Sequence, residues 1–188
     1  EMAKLQADDM RFLKPNRLDA SAITDKKQIA QGGFGLVLKG VYNGQPCAVK
    51  QVLPSQAQGV AMDMFRDEMV LCAKLQHPAI IRFYGCAWKP PDVFIVLEFA
   101  EQGSLNDLIK RTDMVVTLED LLLRMAQEVA SGMHYLHTRP RPVIHRDLKS
   151  DNVLVTSTFA AKLADFGVST EIGEDENFAA HTFVGTTY

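Results

Sequence analysis

Cysteine is scarce in this chain: Cys47, Cys72 and Cys86 are odd in number, widely spaced and form no Cys-x-x-Cys pair. A disulfide framework and a clustered zinc site are thereby disfavoured, and the apolar neighbours of each thiol suggest reduced core residues of an intracellular, cytoplasmic protein. Long apolar runs are also missing. None exceeds five residues, the length of the run Val93 to Leu97, and the first ten residues hold no apolar stretch, so neither a membrane span nor a signal peptide is expected. An excess of one charge is lacking as well: 20 basic against 23 acidic side chains leave a net charge of −3, which gives no footprint for nucleic acid or an anionic membrane. No internal repeat or low-complexity tract occurs. What remains is a chain of 188 residues, 47% hydrophobic and 23% charged, the profile of a soluble globular protein with one or two modest cores.

Residues 1–22 mix charges with Pro15 and show no sustained period, so they are expected to be a lead-in or linker. From Ile29 to Tyr42 the chain is rich in glycine and β-branched residues; Asn43-Gly44 then signals a hairpin, and Cys47 to Leu53 resumes an extended pattern. Alternation places Ala48, Lys50 and Val52 on one face of that strand. From Val60 to Gln76, Phe65, Met69, Cys72 and Leu75 recur at helical spacing and Glu68 falls on the same stripe. A carboxylate on a buried face needs a partner. Two further strands are expected over Ile80 to Ala87 and Val93 to Phe99, completing a sheet of about five strands with one helix.

Beyond Ala100 the pattern is mainly helical. Thr117 with Asp120 reads as a capping box ahead of a stripe of Leu118, Leu121, Leu122, Met125, Val129, Met133 and Leu136, which predicts a long buried helix. After it come Val143 to His145 and then two short strands, expected at Val153 to Val155 and Lys162 to Leu163. The last 20 residues, with Glu171, Glu174, Asp175 and Glu176 among several Ser and Thr, read as a mobile loop.

The cluster Ala30-Gln31-Gly32-Gly33-Phe34-Gly35-Leu36-Val37 would let backbone N–H groups approach a phosphate, since glycine lacks the Cβ that would block it. A ligand-free glycine turn fits the same residues. A Walker-type loop is excluded because Val41 stands where its lysine must be, and a dinucleotide-binding loop is disfavoured because a hairpin follows instead of a helix. Lys50 and Glu68, each unremarkable alone, can neutralise each other and present ammonium protons to an anion. The run His145-Arg146-Asp147-Leu148-Lys149-Ser150-Asp151-Asn152, followed by Asp165-Phe166-Gly167, supplies carboxylate and amide oxygens of the kind that bind Mg2+ beside substrate phosphates.

In this order and spacing the motifs resemble a eukaryotic protein kinase catalytic domain of the serine/threonine type, from about Asp25 to Tyr188. The resemblance implies an α+β fold over residues 23–188: an antiparallel β-sheet N-lobe with one helix (23–99) and a mainly helical C-lobe (100–188). Leu148-Lys149 resembles the serine/threonine branch and Gly103-Ser104-Leu105 the tyrosine kinase-like group. Thr182-Phe183-Val184-Gly185-Thr186 resembles activation segments of sterile-20-like kinases.

Carried over position by position, the resemblance implies an ATP site at Ile29, Ala30, Gln31, Gly32, Gly33, Phe34, Gly35, Val37, Ala48, Lys50, Glu98, Ala100 and Leu154. Lys50 would hold phosphates and pair with Glu68, and Val37, Ala48 and Leu154 would enclose the adenine. The Glu98 carbonyl and Ala100 amide would bond its edge, with Leu97 at the gatekeeper position. Asp147 would accept the acceptor hydroxyl proton, Lys149 would steady the γ-phosphate, and Asn152 and Asp165 would hold Mg2+. Cys72, Phe83, His145 and Phe166 match the stacked residues of active kinases. Thr182 would be the activating phosphosite gripped by Arg146, with Ser169, Thr170 and Thr187 as rivals. The implied partners are a protein carrying a Ser or Thr acceptor and an upstream kinase.

Two departures stand out. Ala30 replaces the first glycine of the loop, which is tolerable if its φ stays negative, and the chain stops before an Ala-Pro-Glu motif, so the C-lobe is expected to be incomplete. A pseudokinase, retaining the fold as a binding or scaffolding module, is the alternative, and tyrosine or dual specificity stays open.

Overall fold

The computed structural model describes residues 11–32, 35–53, 59–89, 92–112 and 121–172. The chain forms two compact units, one of residues 1–76 and 82–99, the other of 77–81 and 100–188.

The first unit is built on a five-stranded antiparallel sheet in the order β1-β2-β3-β5-β4, from β1 (Ile23–Gly32), β2 (Gly35–Tyr42), β3 (Gln45–Gln51), β4 (Phe83–Lys89) and β5 (Asp92–Glu98). Helix α1 spans Gly59–Lys74. The apolar run of β5 has a simple cause: both faces of the strand are covered. Val93 and Ile95 join Phe65, Met69 and Val70 of α1 in one buried cluster. Phe94 and Val96 join Ile23, Cys47, Val49 and Ala87 in another. All three cysteines are free thiols in buried positions, and burial pushes the Cys86 thiol up to about 12.

Three sequence expectations are corrected here. The segment before β1 is not a poorly packed lead-in over residues 11–22: Leu13 is fully buried and belongs to the α1 cluster. The meander begins at Ile23, not Ile29. Its alternation is hidden by register shifts between Thr24 and Lys27 and between Gln28 and Ala30, where extra residues flip the face that each side chain presents. Strand β4 begins at Phe83, since Ile80 and Ile81 belong to the second unit, where Ile80 bridges Leu163.

In the second unit, β6 (Gly103–Ser104), β8 (Val153–Val155) and β9 (Ala161–Leu163) form a three-stranded sheet, and β7 (Val143–Ile144) pairs with β10 (Thr170–Glu171). Residues 170–172 are therefore not a loose loop; Ile172 is buried and its N–H bonds the Pro142 carbonyl at 2.8 Å. Helices are α2 (Leu105–Ile109) and α3 (Leu123–His137).

Helix α2 starts in a capping box: the Asp107 N–H donates to Ser104 Oγ at 3.0 Å, and the Ser104 N–H donates to Asp107 Oδ2 at 3.0 Å. The Ser104 hydroxyl hydrogen bond, with its N–H, holds the Asp107 carboxyl below the usual carboxylate range. This support is present above the ordinary carboxylate pKa and is lost as the pH falls through the lowered value. Ser104→Ala is expected to cost about 1 kcal/mol, measured as the shift in urea midpoint at pH 7.

The capping box expected at Thr117 and Asp120 lies outside the described residues. The stripe on α3 is less buried than its periodicity suggests. Met125 and Leu136 are buried, but Val129 and Met133 are only half-buried and Leu123 is exposed. Leu123, Met125, Val129 and Met133 line an apolar groove of about 800 Å³ with Leu105, Leu148 and Val153.

Candidate active site

Local pattern delivers the first half of the machinery. In β3, Cys47 and Val49 face the core, so Ala48 and Lys50 take the other face, half-buried. Lys50 lies opposite Val37 of β2 and Ile95 of β5. Its Nζ donates to both Oε1 and Oε2 of Glu68, each at 2.7 Å. Glu68 is 5% exposed and Lys50 26%, so the carboxylate is taken out of water with its counter-ion while the lysine side chain keeps partial access to solvent.

Ile29, Ala30 and Gln31 lie exposed on β1, and Gly32 pairs with Gly35 of β2. Gly33 and Phe34 are outside the described residues. Ala30 stays out of the positive-φ region, the condition for its methyl group to be tolerated. Gly35 has φ +149°, and a Cβ there would sit 2.1 Å from the Gln51 carbonyl oxygen; only glycine permits this approach of β2 to the end of β3. Ala48 pairs with Leu97, and Glu98 is tied to Arg82 by N–H to carbonyl at 2.8 Å.

The second unit assembles the His-Arg-Asp and Asp-Phe-Gly residues. Asn152, buried in a short 3-10 turn over Ser150–Asn152, donates from Nδ2 to the Asp147 carbonyl and to Asp147 Oδ2, both at 2.8 Å. Lys149 Nζ reaches the same Oδ2 at 2.8 Å. Two cationic or amide donors on one oxygen fix the plane of the Asp147 carboxylate.

His145 is 1% exposed, its Nε2 bonds the Ala164 carbonyl at 3.0 Å, and its ring lies 5.1 Å from that of buried Phe166. Burial holds the imidazole pKa below its ordinary value, so the ring is a neutral strut between the two motifs. Ser169 adds a tie that sequence inspection did not single out as structural: its Oγ donates to the His145 carbonyl at 3.0 Å. Arg146 and Asp165 have φ of 65° and 61°, the strained backbone that places Asp165 exposed beside buried Phe166. Ala100 is buried, and Leu154 lies on β8 opposite Ser104 and Lys162. Thr182 lies outside the described residues.

Residues 23–184 match the family described as protein tyrosine and serine/threonine kinase. The chain belongs to that family. A probable serine/threonine-protein kinase of Arabidopsis thaliana, SIS8, is 42% identical over 147 residues, covering 78% of this chain and 14% of the relative. The serine/threonine-protein kinase CTR1 of the same plant is 37% identical over 145 residues, 77% of this chain and 18% of that protein. A probable serine/threonine-protein kinase of Dictyostelium discoideum, DDB_G0271682, is 35% identical over 160 residues, 85% of this chain and 16% of its own. The kinase chain thus spans less than a fifth of the length of each of these three relatives. Kinases of this family generally use ATP and Mg2+. No helix among the described residues of this kinase chain is long and apolar enough to cross a membrane.

Proposed function

We propose that this chain catalyses transfer of the ATP γ-phosphoryl group to serine or threonine hydroxyls of a protein in the cytoplasm. The observation that carries the reading is that the phosphate-type lysine and the base-type aspartate are each held by the residues a working kinase requires: Lys50 by Glu68, and Asp147 by Asn152 and Lys149.

The donor sets fit the expected ligands. Lys50, held by Glu68, is a charged N–H donor of the kind that binds phosphate. Asn152 spends its Nδ2 on Asp147, which leaves its amide oxygen as a hard donor, and Asp165 offers an exposed carboxylate. Among the described residues no group of three or more His, Cys, Asp or Glu could hold a metal, so Mg2+ held by Asn152 and Asp165 would draw its other ligands from phosphate and water. ATP with Mg2+ supplies the phosphoryl group and neutralises its charge.

The chain's own residues do the rest. Asp147 accepts the proton of the acceptor hydroxyl, and Asn152 and Lys149 keep its carboxylate oriented. Lys149 places positive charge where the transferred group gains negative charge. Thr182 is the acceptor for an upstream kinase, with Arg146 as the partner of its phosphate.

The test is phosphate incorporation from labelled ATP into a generic protein substrate by the full-length protein, together with its melting temperature with and without Mg2+ and ATP. Turnover is expected, with a stabilisation of about 2.7 kcal/mol at a hundredfold excess of nucleotide over its dissociation constant. Mg2+-dependent stabilisation without phosphate incorporation would support a nucleotide-binding pseudokinase; neither effect would refute both readings.

A further inference from the structure

The segment before β1 is clamped in place at several points. Leu13 is fully buried among Phe65, Met69 and Val70 of α1, Cys86 and Trp88 of β4, and Val93 and Ile95 of β5. Asn16 closes the short 3-10 turn by donating from Nδ2 to the Phe12 carbonyl at 2.9 Å. Arg17 pairs in parallel with Cys86, and the Leu18 N–H bonds the Cys86 carbonyl at 2.8 Å. Arg17 lies 5.8 Å from the Trp88 ring, and Lys74, in the last turn of α1, lies 5.5 Å from the ring of Phe12.

Gly85 gives independent evidence of how closely the segment lies. A Cβ at Gly85 would stand 2.6 Å from both the Asn16 carbonyl oxygen and Leu18 Cγ. The segment is therefore seated on β4 at a distance that only glycine allows.

The consequence falls on Glu68. Phe65, three residues before it, shares its side of α1, and Met69, next in sequence, is buried on the adjoining flank. The cluster that holds them sets the rotation and depth of the helix, and with it the direction of the Glu68 carboxylate. Packed cores resist such displacement steeply, because losing one large side chain leaves a void that its neighbours fill only in part.

We propose that residues 12–18 are a positioning strap, anchored by Leu13, that holds α1 so that Glu68 stays paired with Lys50. Its effect on turnover rests on the kinase reading above; its effect on α1 does not. Leu13 is a positioning residue, acting through Met69 and Phe65 on Glu68.

The experiment uses the full-length protein with Leu13→Ala, Gly85→Ala and the conservative Leu13→Met; Leu13→Val serves should Leu13→Ala not fold. Amide hydrogen exchange is read separately in α1 (59–74) and in β3 (45–51). Leu13→Ala and Gly85→Ala are each expected to speed exchange in α1 by about tenfold or more while β3 changes by less than about threefold, and Leu13→Met is expected to restore the slow rate. Equal acceleration of α1 and β3, or none in α1, overturns the strap. Turnover supplies the coupling: Leu13→Ala should lower kcat/KM for ATP in the wild-type background and have little further effect on top of Glu68→Gln. Multiplicative losses in that cycle also overturn it. Absence of phosphotransfer by the wild type refutes the kinase reading, and the exchange comparison then decides the strap by itself.

Discussion

Asp147→Asn in the full-length protein is expected to lower the rate of phosphotransfer by about 10²- to 10⁴-fold, the range associated with removing a positioned general base. The substitution is isosteric, and Asp147 receives an amide donor from Asn152 and an ammonium from Lys149 on the same oxygen. An asparagine that presents its carbonyl oxygen at that position can keep both contacts, so the fold should tolerate the change and the melting temperature should move little. What is lost is the capacity to take a proton from a hydroxyl. The check is a steady-state assay with kcat and KM for ATP measured separately: kcat should fall while KM for ATP stays close to wild type, because nucleotide contacts are untouched. A variant with near wild-type kcat would remove Asp147 from the chemistry.

The second large effect is expected at the ion pair of the first unit, where activity and stability should separate. Lys50→Met leaves Glu68, 5% exposed, as a buried carboxylate deprived of its ammonium. An exposed pair is worth about 0–1 kcal/mol, whereas breaking a buried one costs about 3–5 kcal/mol. With Lys50 at 26% exposure, a loss of about 2 kcal/mol is expected by combining those limits. For a cooperative unit of about 150–250 residues that is a drop in melting temperature of about 4–8 °C. Adding Glu68→Leu removes the stranded charge and should recover most of that stability. Phosphotransfer, by contrast, should be abolished in Lys50→Met and should not return in the double variant, since the leucine cannot supply the lost donor. Thermal melts and a labelled-ATP assay on the same preparations test both halves. Turnover regained in the double variant would show that Lys50 serves the fold and not the phosphate.

Much of this site can be read along the chain because each part rests on a local pattern. Two-residue alternation in β3 sends Lys50 to the face opposite Cys47 and Val49, and helical periodicity puts Glu68 on the stripe of Phe65 and Met69. The His-Arg-Asp run and the Asp-Phe-Gly triplet fall within short segments, so they carry the resemblance to a kinase in the sequence itself. The strands with regular alternation were legible for the same reason. β1 was not, because its two register shifts interrupt the period on which such reading depends.

Other features were decided only when distant segments met. Residues 11–18 look like a linker because Phe12, Leu13 and Leu18 are scattered among charges and Pro15, with no period to report. Leu13 is buried because α1, β4 and β5 together leave a space its side chain fills, and because Gly85 lets the backbone approach β4. The periodic stripe on α3 names which residues share a face, but periodicity carries no information on whether a partner covers that face; Val129 and Met133 remain half-buried along an apolar groove. The positive φ of Arg146 and Asp165 likewise accompanies the packing of His145 against Phe166 and its bond to Ala164, and for arginine it runs against the ordinary preference. Local pattern thus shows, in the regular elements, which side chains share a face and which chemistry they carry. Tertiary structure alone decided what each face meets, since burial is a property shared by elements far apart along the chain.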